Sequence, residues 1–142
     1  MKLFATIIAF VFTLQTSTGT IEAVKSDKRT ITVTVPNLTS NKGKVSYALY
    51  NKENFRLKPL QAKSTLVKDK KSTVVFTDVV PGEYAIVCYH DANENGKMDF
   101  QPSGMPMEDY GISNNPRSFG PPNYETAKFV ISDKDVTLEI RF

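Results

Sequence analysis

The stretch "HDANENGKMD", His90 to Asp99, sets side-chain oxygens at alternate positions: Asp91, Asn93 and Asn95, then Gly96, with Asp99 closing the run. This is the donor order of a calcium loop. Positions one, three and five give side-chain oxygens, a glycine permits the sharp turn, position seven (here Lys97) gives its carbonyl, and position nine gives another oxygen. Hard oxygen donors suit calcium better than zinc or copper. Position twelve is Pro102, where an EF-hand carries a bidentate Glu, so the loop is not an EF-hand and its last carboxylate has to come from elsewhere. Glu108 or Asp109, later in the same loop, can supply it, and the expected set is Asp91, Asn93, Asn95, Lys97, Asp99 and Glu108. The alternative without an ion is a run of Asx turns with Gly96 at a positive φ.

Other candidate groups are sparse. His90 is the single histidine and Cys88 the single cysteine, two residues apart in an alternating apolar run and so on one strand face. With Glu108 they outline an enzyme site at the loop base. A general base needs a nucleophile and an orienting group, and nothing around Cys88 lowers its pKa, so structural roles are expected for both. Tyr110, Phe119 and Tyr124 either form a stacking platform for sugar or peptide, or anchor their loop to the domain. "NLT" at Asn37 is a glycosylation sequon in a eukaryotic host and otherwise a turn after Pro36.

These residues need a scaffold, and hydrophobic periodicity supplies one. "TITVTVPN" puts Ile31, Val33 and Val35 on one face, a period of two that ends at Pro36. "KVSYALY" repeats the pattern, "NKENFRLKPLQAKSTLV" reads as a loop leading into a further strand, "STVVF" follows a charged turn, and "EYAIVCYH" follows "DVVPG". "AKFVIS" and "VTLEIRF" flank "DKD" and read as a closing hairpin, with Val136, Leu138, Ile140 and Phe142 on one side. The expectation is an all-β single antiparallel β-sandwich of about seven strands, Ig-like in style. From 91 to 124 the rhythm fails, in a segment holding five of the 8 prolines. Its methionines and aromatics predict an ordered loop, packed by its own apolar residues over one end of the sandwich.

A chain of 142 residues suits one domain. Lys2, the apolar run Leu3 to Leu14 and the small polar residues after it read as a signal peptide over 1–23, cut between Ser17 and Ala23, leaving a domain over 24–142. The run is too short for a stable membrane anchor, and the expected location is periplasmic or extracellular. A net charge of +3 without a Lys/Arg block among aromatics does not point to nucleic acid. One cysteine allows no internal disulfide, so the core, helped by a metal, has to hold the domain.

The succession "VVPGEYAIVCYHDANENGKMD", "GMPMEDYGISNN", "GPPNYETAKF" and the final hairpin resembles the secreted bacterial family known as domain of unknown function 2141, over about Thr30 to Phe142. The resemblance implies a small prealbumin-like or CnaB-like β-sandwich and brings no activity with it. It matches Asp91, Asn93, Asn95, Gly96 and Asp99, and also Gly104, Pro106, Glu108 and Gly111, which implies a site spanning both halves of the loop. A transthyretin-like hydrolase needs several histidines and a Tyr-Arg-Gly-Ser tail, and an intradiol dioxygenase needs two His and two Tyr ligands. A chain with one His that ends "LEIRF" fits neither. The resulting expectation is a calcium-stabilised binding module whose loop faces an envelope protein or a glycan. The alternatives are the Cys88, His90 and Glu108 enzyme and a structural module without a metal.

Overall fold

The computed structural model describes residues 27–117 and 120–142. The segment expected to be a signal peptide, with its expected cleavage site, and Phe119 lie outside the described residues. Eight strands and one short helix follow in order: β1 (Arg29–Val35), β2 (Lys44–Tyr50), β3 (Gln61–Leu66), β4 (Ser72–Val79), β5 (Gly82–Asp91), β6 (Tyr110–Ile112), α1 (Tyr124–Ala127), β7 (Phe129–Ile131) and β8 (Val136–Glu139). They form a sandwich of a three-stranded sheet, β4-β1-β8, and a five-stranded sheet, β3-β2-β5-β6, in which β7 also pairs with β5.

The period-two pattern supplies the core. Ile31, Val33 and Val35 of β1, Val45, Tyr47 and Leu49 of β2, Phe76 of β4, and Ile86 and Cys88 of β5 point between the sheets and are almost wholly buried. Burial of such side chains contributes about 1.5–3 kcal/mol each before conformational entropy is counted. This closes a disulfide-free core.

The closing hairpin does not form. β7 pairs antiparallel with the start of β5, whereas β8 pairs parallel with β1 in the other sheet. The short turn between them crosses the sandwich, and the Asp135 carboxylate accepts the Thr30 N–H at 2.8 Å to tie that crossing to β1. Alternation reports that both strands bury one face in a shared interior; it does not report which sheet edge has free hydrogen-bonding groups to accept each one.

The long segment also differs from expectation. It contains β6, and after leaving the end of β5 it returns along the outer face of the five-stranded sheet. There Ala85, Ile112, Tyr124 and Ala127 form a second small apolar cluster with Phe55 and Val87. Phe100, Met105 and Met107 are well exposed, so this part of the loop is not packed by its own apolar side chains.

Side chains seal both sides of the sandwich. On one side Gln61 Nε2 and Lys63 Nζ of β3 donate to the Thr77 and Val75 carbonyls of β4, at 2.9 and 2.7 Å. On the other, Asn115 donates to the Glu139 carbonyl and accepts the Arg141 N–H, both at 2.8 Å. Between β6 and β7, which pair with different stretches of the same edge of β5, Ser113 fills the gap. Its hydroxyl accepts the Ile86 N–H at 3.0 Å and donates to the Ala127 carbonyl at 2.5 Å, wholly buried. Ser113→Ala leaves both backbone groups unpaired away from water and is expected to cost about 2–4 kcal/mol in urea denaturation. A cost under about 0.5 kcal/mol would show that the hydroxyl is dispensable to the seal.

Candidate functional site

The site is assembled at the end of β5. The β2–β5 register sets Lys44 opposite Asp91 and Val45 opposite His90. His90, nearly buried, holds the Lys42 carbonyl through Nε2 at 2.7 Å, and its N–H donates to the Asp109 carbonyl at 2.9 Å. Gly43 has to be glycine. Its φ is +71°, and a Cβ there would sit 2.1 Å from the Asp91 carbonyl oxygen and 2.7 Å from Ala92 Cα. The turn before β2 is thus pressed directly against the start of the loop.

Asp91 is fully buried, and its carboxylate organises the turn from Ala92 to Lys97. Oδ1 accepts the Asn95 N–H at 3.1 Å and Oδ2 the Gly96 N–H at 2.9 Å, with the Lys44 ammonium 3.9 Å away. Gly96, at φ +78°, makes the bend that aims both N–H groups inward. Asn93 Oδ1 accepts the Asn95 N–H at 3.2 Å and Asn95 Oδ1 the Lys97 N–H at 3.0 Å, which are the Asx turns expected of these residues. The Asn93 and Asn95 carboxamide nitrogens both donate to Asp99 Oδ2, at 2.9 and 2.6 Å.

Beyond Asp99 the chain doubles back. A bridge between Phe100 and Pro106, the bond from Gln101 N–H to the Met105 carbonyl at 2.8 Å, and that from Met107 N–H to the Asp99 carbonyl at 2.9 Å make a tight hairpin past Pro102. Its return brings Glu108 to Asp99, whose N–H donates to Glu108 Oε2 at 3.1 Å. Glu108 Oε1 is buried with no hydrogen-bond partner. Burial pushes the Glu108 carboxyl up from its ordinary range; the Asp99 N–H opposes this, and the charges of Asp99 and Asp91 add to it.

Asp91, Asn93, Asn95, Asp99 and Glu108 are therefore joined in one hydrogen-bonded network. Lys97 enters through its N–H, and Asp109 lies apart, accepting the Thr39 hydroxyl at 3.1 Å. Among the described residues no group of three or more His, Cys, Asp or Glu is arranged to hold a metal ion, so a cation here depends on amide and carbonyl oxygens as well. Sequence reasoning missed Gly43 and Lys44. "SNKG" read only as a turn, and the strand register that sets Lys44 against Asp91 leaves no local signal.

The enzyme alternative finds its groups otherwise engaged. Cys88 faces the core, fully buried, with its thiol donating to the Gly111 carbonyl at 3.6 Å, and burial drives its pKa far up. The His90 ring is held by the Lys42 carbonyl, and neither side chain presents a reactive atom to solvent. Tyr124 is likewise a buried anchor, its ring edge-on to Phe55 at 5.5 Å, and Tyr110 donates to the Gly120 carbonyl at 3.2 Å. Tyr124 is therefore withdrawn from any exposed stacking platform, while Tyr110 is half-buried and lines a groove on the outer face of the five-stranded sheet. Asn37, at φ +56°, occupies a turn.

A wide groove of about 1180 Å³ crosses the outer face of the five-stranded sheet beside this loop. Its floor is made of small outward residues of β2 and β3, and Tyr50, Tyr89, Met98 and Phe100 rise around it.

Fold and site together define a β-sandwich module with a structured polar loop at one strand end. The profile of the family described as "Uncharacterized protein conserved in bacteria (DUF2141)" matches residues 33–139, and the chain belongs to that family. Among solved structures the chain is similar to a pilus-presented adhesin, Spy0125 (Cpa), at 14% identity and a TM-score of 0.27, covering 84% of this chain and 27% of the adhesin chain. The chain thus spans about a quarter of that protein's length. No curated protein matches.

Gly43→Ala is expected to lower stability by about 2–4 kcal/mol, from left-handed strain and from a clash that displaces Asp91. Thermal or urea unfolding measures this, and loss of the protected Gly96 amide in hydrogen exchange would locate the damage in the loop.

Proposed function

We propose that this protein is an extracytoplasmic binding module of the bacterial envelope whose long loop is stabilised by a calcium ion. The observation that carries the reading is Glu108. From beyond the end of the acidic and amide run it folds back onto Asp99, and one of its oxygens is buried without a donor. The donor set fits a hard cation: Asp91, Asn93, Asn95, Asp99 and Glu108 offer side-chain oxygens and Lys97 a carbonyl. The Asp99 and Asp91 charges act on Glu108, and the Lys44 ammonium lies 3.9 Å from Asp91 alone, so a divalent cation would relieve repulsion within the loop.

Calcium would supply structural charge compensation. The chain's own residues set its terms: Asp91 holds the turn through two N–H groups, the Asx turns fix Asn93 and Asn95, and the 99–107 hairpin delivers Glu108. A bound ion has to displace the two carboxamide donors from Asp99, which argues for modest affinity, in the range that extracellular modules use. The leader-like sequence before Val24 supports an extracytoplasmic location, where calcium at that level is available.

Calcium at about 1–5 mM is expected to raise the melting temperature by about 4–8 °C, with chelator reversing it. Glu108→Gln is expected to abolish the shift while leaving the metal-free protein at least as stable at neutral pH. An unchanged melting temperature in the parent at these concentrations would reject the calcium reading and leave a module without an ion.

The raised Glu108 pKa sets the pH dependence. In metal-free protein its contribution to stability is full below the unfolded carboxyl value, near 4.5, and is lost as pH rises through the higher folded value. Calcium needs the carboxylate, so the calcium-induced shift is expected to grow over that same rise. Melting curves from about pH 4 to 8, with and without calcium, measure both trends, and Glu108→Gln should flatten each.

A further inference from the structure

The groove on the five-stranded sheet has an asymmetry that selects a ligand. Its floor is Ser46, Ala48, Ala62 and Ser64, small side chains on the outward faces of β2 and β3, with Ser46 paired to Ser64 and Ala48 to Ala62 in register. At one end stands Arg56. Among the described residues no acidic side chain pairs with it.

Arg56 is not on a loose loop. Asn51 and Asn54 exchange backbone-to-side-chain bonds at 3.1 and 3.2 Å, the Leu57 N–H donates to the Asn54 carbonyl at 2.9 Å, and Phe55 is wedged edge-on between Tyr50 and Tyr124. Within this framed turn Arg56 itself takes φ +61°, a left-handed conformation uncommon for a residue with a Cβ. Its charge also bears on the neighbouring Tyr50 hydroxyl.

The other charged residues along the groove are already engaged. The Lys63 ammonium turns away to the Val75 carbonyl, Asp109 accepts from Thr39, and Glu108 belongs to the loop network. Glu108 and Asp109 place negative charge on the loop wall. Alongside them are the adaptable apolar side chains of Met98, Phe100 and Met105.

We propose that this groove binds a small free amphiphilic carboxylate, its anionic end on Arg56 and its apolar body across the Ala48 and Ala62 floor toward Met98 and Phe100. The acidic loop wall repels the carboxylate from the opposite end and so sets a single orientation. A neutral glycan is less well served at the floor, where the Ser46 and Ser64 hydroxyls are bonded to each other at 3.0 Å and Lys63 is held by the Val75 carbonyl. This deepens the binding-module reading and rests on it, but the floor and Arg56 belong to β2, β3 and their connection, so it does not require calcium.

Octanoate, 1-octanol and maltohexaose, titrated separately and followed by methyl and amide NMR shifts, test the assignment. Octanoate is expected to bind saturably, moving the Met98, Met105 and Val87 methyls. Arg56→Gln should weaken octanoate about fivefold and leave 1-octanol unchanged. Ala62→Trp, an outward substitution that fills the floor, should remove both; Ala48→Phe serves if that variant does not fold. Failure of octanoate to shift these groups, equal octanoate affinity in Arg56→Gln, or saturable maltohexaose binding in its place would overturn the proposal. Running each titration with calcium and with chelator separates the two readings: octanoate binding in a protein whose melting point ignores calcium rejects the ion and keeps the groove.

Discussion

A carboxylate with no access to water, that of Asp91, is the constraint from which the loop end of this molecule is built. Removing such a group from solvent is costly unless donors replace the lost hydration. Here the donors are the Asn95 and Gly96 N–H groups, with the Lys44 ammonium beyond hydrogen-bond distance but near enough to lower the electrostatic cost. To bring both amides to one carboxylate the chain has to reverse within five residues, which explains the left-handed φ values at Glu94 and Gly96. To bury the carboxylate at all, the turn before β2 has to lie against the loop, which explains why Gly43 tolerates no Cβ. One buried charge therefore dictates the conformation of two segments far apart in the chain.

The same constraint propagates outward. With Asn93 and Asn95 fixed by the turn, their carboxamides meet Asp99, and the hairpin beyond it returns Glu108 to the same place. The result is a concentration of negative charge in which Asp91 has the Lys44 ammonium at 3.9 Å and one Glu108 oxygen is buried with no donor. Burial, with the neighbouring Asp99 and Asp91 charges, pushes the Glu108 carboxyl up from its ordinary range, against the opposing Asp99 N–H.

Much of the scaffold was legible because period-two burial is a local property: β1, β2, β4 and β5 show it, and their inward residues are the core. The Asx turns of Asn93 and Asn95 and the positive φ of Gly96 were legible for the same reason. What was not legible depended on partners remote in sequence. The end of the chain alternates as a hairpin does, yet its two strands serve different sheets. Ser113 matters because β6 and β7 stop short of each other on β5, a gap that no property of "GISNN" announces. Exposure misled as well. Phe100, Met105 and Met107 suggested a packed loop, whereas they stand beside a groove or in solvent, because the loop is held by its polar bonds and does not need them as a core.

That division of labour has a consequence for the outer face of the five-stranded sheet. Side chains of Gln61, Lys63 and Asn115 seal the sandwich, and α1 with Phe55 covers only one stretch of β5. A solvated sheet surface ordinarily carries large polar side chains. This face carries Ser46, Ala48, Ala62 and Ser64 instead, and small residues there leave space between two walls that are independently rigid: one braced by the Asn51–Asn54 turn and its aromatic contacts, the other by the Asp91 and Asp99 network. A groove whose walls are held in place without a ligand loses little conformational entropy when one enters. The polar network that Asp91 anchors thus also holds in place the loop wall beside the neighbouring sheet face.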